Sequence, residues 1–264
     1  MELPTKLVKA KSVNPATMLI YAPPKLGKST IMALLTEKYP NSLIISNEPN
    51  GYNFLDAIVK EALDPATFRS VIAAIEERNK TQKLEYLIVD TVTQMDSWSE
   101  IVGTLRYMET SQGKKFNRIG KIAGGKKISP NSTNFETVHD IPQGYGYKHS
   151  RAVMIDWFDQ LSRLADHVIF VAHVKDKLVS STLGESITAT TINLTGKVKD
   201  LYCAKVDAIA MLVTGEDTSE RYLSFQAKDD IKFMGSRAPH LKGKILISKE
   251  TEKEVEAYWD NIFI

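Results

Sequence analysis

Residues 22–30 read Ala22-Pro-Pro-Lys-Leu-Gly-Lys-Ser-Thr30, directly after the apolar run Met18-Leu-Ile-Tyr21 and directly before Ile31-Met-Ala-Leu-Leu35. The pattern is G-x-x-x-x-G-K-[ST] with Ala22 in place of the first glycine, placed between a strand and a helix. That layout makes a phosphate-binding loop. Its members Ala22, Pro23, Pro24, Lys25, Leu26, Gly27, Lys28, Ser29 and Thr30 wrap a chain of phosphates, whose charge is met by inward N–H groups and the positive end of the following helix. Lys28 supplies a point charge for the β- and γ-phosphates, and the Ser29 hydroxyl a ligand for Mg²⁺. The plain alternative is a Pro/Gly turn with a solvated lysine.

Three further residues stand at the ends of apolar runs. Asp90 closes Tyr86-Leu-Ile-Val-Asp90. Strand carboxyl ends face the ligand crevice in open α/β sheets, so an acid there can hold Mg²⁺ beside the phosphates. Alone it also reads as a polar turn residue; paired with the phosphate loop it points to a nucleoside triphosphate with Mg²⁺. Glu48 lies just beyond Leu43-Ile-Ile-Ser46, where a carboxylate can take a proton from a water lined up on the γ-phosphate. A solvated loop glutamate before Pro49 is the alternative. His173 ends Val168-Ile-Phe-Val-Ala172 and is either a sensor of phosphate loss or a hydrogen-bonded turn residue.

The elements that must position these groups alternate strand-like and helix-like, as in a mostly parallel sheet covered by helices. Asp64-Pro65 marks a helix start whose Phe68, Val71, Ile72 and Ile75 form a core face. Helices are expected over about 95–110 and 147–165, the second with Val153, Met154, Trp157, Phe158, Leu161 and Leu164 on one face. Ala208–Val213 and Tyr222–Gln226, joined by a turn at Gly215, read as an antiparallel hairpin at the sheet edge. A surface helix is expected over about 249–260, packing Val255, Tyr258 and Trp259.

Composition sets the class. The chain has 264 residues, 43% hydrophobic and 25% charged, which suits a soluble globular protein. No run approaches the ~20 apolar residues of a membrane span, so no membrane partner is expected. Met1-Glu-Leu-Pro-Thr5 has no apolar signal core, and the expected location is cytoplasmic. One cysteine, Cys203, reads as a core thiol, and the five histidines show no paired metal-ligand spacing. The net charge of +2 decides nothing about nucleic acid.

The set Ala22–Thr30, Glu48, Tyr86–Asp90 and Val168–His173, with Gln143-Gly-Tyr-Gly-Tyr147 leading into a helix, resembles the phage-encoded ATPases of the RecA superfamily, associated with homologous recombination and single-strand annealing. The resemblance covers roughly residues 15–245. It implies one RecA-like α/β domain over 1–264, with the histidine strand lying between the phosphate-loop strand and the Asp90 strand. Glu48 and Lys28 are then similar to catalytic residues, Ser29 and Asp90 to the Mg²⁺ ligands, and His173 to the sensor. The implied setting is the host cytoplasm. Ala22 departs from the pattern, and the segment after the Asp90 helix is longer than a minimal RecA core needs.

That segment, about 112–142, carries Lys114, Lys115, Arg118, Lys121, Lys126 and Lys127 among glycines, with no acid between 113 and 127. It reads as a mobile basic loop that neutralises nucleic-acid phosphates, with Phe116 able to stack on a base. A solvated insertion or a protein-docking arm is the alternative. A second loop, about 174–193, brings Lys175 and Lys177, and the resemblance implies that both loops face single-stranded DNA. It also implies a homo-oligomer, ring or filament, in which a basic residue of the neighbour, Lys232 or Arg237, completes the site. A single-strand-binding protein is a further conceivable partner. Two other classes use the same loop. One is a nucleotide-gated loader or adaptor with little turnover; the other is a small-molecule kinase, whose arginine-bearing lid has no counterpart here.

Overall fold

The computed structural model describes residues 12–115, 117–118, 134–135, 137–180, 186–226 and 233–264. Thr17–Ala22 (β1), Lys28–Lys38 (α1), Ser42–Ser46 (β2) and Val59–Glu61 (β3) come first. Pro65–Arg78 (α2), Leu84–Asp90 (β4) and Val92–Glu109 (α3) follow, then the two-residue strands Asn117–Arg118 (β5) and Asn134–Phe135 (β6). Next are Tyr147–Leu161 (α4), Ala165–Ser180 (β7), Ser186–Ile192 (β8) and Val198–Lys205 (α5). Ala208–Thr214 (β9), Glu220–Ser224 (β10), Gly235–Ser236 (β11), Lys244–Glu250 (β12) and Val255–Ala257 (β13) close the chain.

The main sheet runs β13-β12-β10-β9-β1-β7-β4-β2-β3. The six strands from β9 to β3 are parallel, and β10, β12 and β13 extend the sheet antiparallel. This is the mixed α/β architecture expected of a RecA-like domain, with β7 between the phosphate-loop strand and the Asp90 strand. All six residues of β1 are buried, as a strand covered on both faces requires. One face is covered by α2, α3, α4 and α5, the other by α1 and the chain end at Trp259, Ile262 and Phe263. Phe68 meets Trp157 edge-on at 5.5 Å and Trp98 at 5.8 Å, and each such buried side chain contributes about 1.5–3 kcal/mol.

Register sets the site. Ala22 pairs with His173, and Asp90 with Val171 on one side and Ser46 on the other. The phosphate loop, Glu48, Asp90 and His173 therefore emerge along one edge of the sheet.

Several expectations are corrected. The segment 249–260 is not a helix: β12 ends at Glu250, Thr251 N–H bonds Glu254 O to close a turn, and β13 returns. Trp259 follows in a single 3-10 turn, fully buried, its indole N–H donating to Ile31 O at 2.8 Å. The second loop is instead a hairpin, since β7 runs on past His173 and pairs antiparallel with β8 from Val174↔Ile192 to Ser180↔Ser186. The Gly215 hairpin forms, but β10 is not the edge; β12 and β13 lie outside it. The basic insertion is not a loop throughout: Val138 and Ile141, near its end, are buried beside Tyr107. Cys203 lies in α5, partly buried against the core, and burial pushes its thiol up to about 12.

Candidate active site

The phosphate loop turns through Lys25 and Gly27, both at positive φ (63° and 92°). Gly27 caps α1, and a Cβ there would meet nothing within 4 Å, so the glycine answers to backbone conformation and not to crowding. The loop opens onto a cleft of about 610 Å³ that also borders Glu48, Asn50, Phe54, Asp90 and His173. Lys28 is buried, and its ammonium donates to Pro23 O at 2.8 Å and Ala22 O at 3.2 Å. Burial lowers its pKa, while the charges of Asp90 and Glu48 act to raise it.

Ser29 and Asp90 converge across 61 residues of sequence: Ser29 Oγ donates to Asp90 Oδ2 at 3.2 Å. The same carboxylate oxygen accepts from Tyr52 Oη at 2.6 Å. Asp90 is buried, and desolvation raises its pKa against the opposing effect of the Tyr52 bond. A hydroxyl and a carboxylate meeting on one side of a phosphate loop fit Mg²⁺, which takes one or two protein oxygens and completes its shell with water and phosphate.

Glu48 stands on the loop after β2. His173 Nε2 lies 2.6 Å from Glu48 Oε1, and Thr91 Oγ1 lies 3.4 Å from the same oxygen. A carboxylate only accepts, so His173 donates from Nε2. This bond holds the Glu48 pKa below the usual carboxylate value, with burial opposing it. The His173 backbone N–H donates to Thr93 Oγ1 at 3.0 Å, tying β7 to the start of α3. His173 Nδ1 is buried and makes no hydrogen bond to a described residue.

The structure thus brings Ala22–Thr30, Glu48, Asp90 and His173 together. Sequence reasoning missed Tyr52, Thr91 and Thr93. Thr91 was legible as the N-cap of α3, where its hydroxyl accepts from Gln94 N–H at 3.3 Å. Tyr52 carried no local signal.

The other expected site residues lie elsewhere. Lys114 sits in the 3-10 turn Gly113–Lys115, while Lys115 and Arg118 fall on short elements whose backbone alone is described. Phe116, Lys121, Lys126, Lys127 and Lys232 lie outside the described residues. Lys175 donates to Leu194 O at 2.9 Å, and Lys177 lies on β7. Arg237 pairs with Asp207 at 3.1 Å and donates to Ala204 O at 2.9 Å, following β11 at the edge of the sheet opposite the phosphate loop.

Among the described residues no helix is long and apolar enough to cross a membrane. No curated protein matches the sequence. Among solved structures, the chain is similar to the one titled "Crystal structure of the RadB recombinase", at 12% identity and a TM-score of 0.44, covering 93% of this chain and 92% of that one. The AAA domain family matches residues 14–232, most of the sequence. Its phosphate loop, Asp90 and His173 lie where the parallel strands of a mostly parallel α/β sheet end or pass, and the chain belongs to the AAA domain family.

Proposed function

We propose that the protein binds ATP with Mg²⁺, hydrolyses it slowly, and acts on single-stranded DNA in recombination or strand annealing as a homo-oligomer. The observation that carries the ATPase part is the Glu48–His173 pair at 2.6 Å on the rim of the phosphate-loop cleft. Lys28 and the loop would take the phosphates, and Ser29 with Asp90 would hold Mg²⁺, which when bound neutralises phosphate charge. Glu48 orients the attacking water. Its lowered pKa makes it a weak proton acceptor, in keeping with slow turnover. His173 holds that carboxylate in place, and through Thr93 its position is tied to α3.

The DNA part is supported by chemistry on the same side of the fold as α4. Tyr145 and Tyr147 are exposed aromatic rings, with the Lys148 ammonium 3.6 Å from the centre of the Tyr145 ring. Arg151 and Lys197 border a cleft of about 310 Å³ beside Tyr147. Stacking rings among cations suit a flexible single strand. In the assembly, Lys232 or Arg237 of a neighbouring copy would complete the nucleotide site, and Arg237 would first have to leave Asp207. The loader or adaptor reading draws on Phe54, 97% exposed on the lip of the cleft, where a protein partner would cover it.

The test is binding of labelled single-stranded DNA with and without ATP at several salt concentrations. Changing Lys114, Lys115, Lys126 and Lys127 together to alanine should weaken binding and flatten its salt slope by up to about four phosphates' worth. Wild-type protein that ignores DNA in every nucleotide state would favour the adaptor.

A further inference from the structure

A second cleft, about 250 Å³, opens on the other side of the phosphate loop. It shares Lys25, Gly27 and Thr30 with the cleft that contains Glu48 and His173. Its far wall comes from the antiparallel extension of the sheet, with Ser219 and Arg221 at β10 and Ser248 and Glu250 on β12.

A nucleoside triphosphate has two unlike ends, and the two clefts are unlike in the same way. The scissile end must face the group that orients water, which is Glu48 in the first cleft. The middle of the chain rests on the loop at Gly27–Ser29, where α1 begins. The nucleoside then leaves the loop away from Glu48, toward the second cleft.

The second cleft offers groups that suit a nucleoside, and two of them have no other described use. Ser248 is 3% exposed and lines the cleft, yet its hydroxyl makes no hydrogen bond to a described residue. The exposed Glu250 carboxylate likewise has no described partner, while its backbone N–H is fixed on Ser219 O at 2.9 Å. The Arg221 guanidinium is steadied by donating to Thr218 O and to Glu220 O at 3.1 Å. Strand register shifts between Arg221 and Tyr222, a bulge of the kind that re-aims side chains beside sites.

Resting on the phosphate-loop reading, we propose that this second cleft is the nucleoside subsite. The plane of Arg221 packs on the base, and Ser248 and Glu250 take the ribose hydroxyls. A planar guanidinium stacks where a lysine ammonium does not, and a carboxylate accepts from hydroxyls where an amide accepts less strongly.

The test is equilibrium titration of the full chain with Mg²⁺ and either ATP or inorganic tripolyphosphate. Arg221→Ala and Glu250→Gln should each weaken ATP about tenfold and leave tripolyphosphate within about twofold, and Arg221→Lys should not restore ATP affinity. Glu250 is exposed, so its conservative amide variant tests the cleft without disturbing the fold. Unchanged ATP affinity in these variants, or equal losses for both ligands, would overturn the proposal. So would a loss of ATP affinity in Phe54→Ala with Arg221→Ala silent, which would put the base on the opposite lip. Lys28→Ala should lose both ligands; if it binds both like the wild type, the phosphate-loop reading itself fails, an outcome separate from the failures above.

Discussion

His173 Nε2 and Glu48 Oε1, 125 residues apart in sequence, lie 2.6 Å from each other because His173 stands on β7 level with the end of β1, on the side of the sheet where β2 ends and the loop bearing Glu48 begins. The contact joins the residue we propose to orient water to the residue we propose to report phosphate loss. Thr91 and Thr93, at the start of α3, bond the two members of the pair.

The pair makes stability depend on pH in a definite direction. The Glu48 pKa is lowered, chiefly by the His173 bond, so its stabilising contribution is fully present above the unfolded value of 4.5. It is lost as pH falls through the folded value, below 4.5. Melting temperatures of the wild type and Glu48→Gln should therefore differ at neutral pH and converge in acid. A difference that does not change with pH would remove this account of the pair.

Asp90 has the opposite sign. Burial raises its pKa, so its ionised form at neutral pH costs stability that the protonated form would not. Asp90→Asn should raise the melting temperature without nucleotide, by about 2–4 °C for each kcal/mol relieved. The same variant should lose the added stabilisation that Mg²⁺ and ATP together give the wild type. Thermal melts with and without Mg²⁺–ATP check both halves.

Tyr52 donates to that buried carboxylate at 2.6 Å and is itself 7% exposed. Tyr52→Phe removes a hydrogen bond to a charged group and should cost about 1.5–3 kcal/mol in denaturant unfolding. Asp90→Asn lowers the charge that Tyr52 serves, so the two changes together should cost less than the sum of the singles. Strict additivity in the double-mutant cycle would show that the hydroxyl does not act through Asp90.

The phosphate loop, Asp90 and the parallel core strands were legible because fully buried strands read as short apolar runs; β2 and β4 end where those runs do, at Ser46 and Asp90, while β7 continues past its run to Ser180. The order of β1, β7 and β4 came from the family resemblance. The chain end was misread because Val255, Tyr258 and Trp259 recur at helical spacing over too few residues to exclude a strand followed by one tight turn. The β7–β8 hairpin had a signal in the alternation of Ser186-Ile-Thr-Ala-Thr, which the abundance of serine and threonine masked. Tyr52 was invisible: its partner lies 38 residues away, and only the folded loop after Glu48 turns its hydroxyl onto Asp90.

The most direct test of the central claim is the steady-state rate of ATP hydrolysis by Glu48→Gln, measured beside its affinity for ATP with Mg²⁺. The amide keeps the shape of the side chain and a hydrogen-bond acceptor near His173 but removes the charge that orients water. Turnover should fall by about 10²-fold or more while ATP affinity stays within about threefold of the wild type. Hydrolysis at the wild-type rate by the variant would contradict the assignment of Glu48 and the ATPase mechanism built on it.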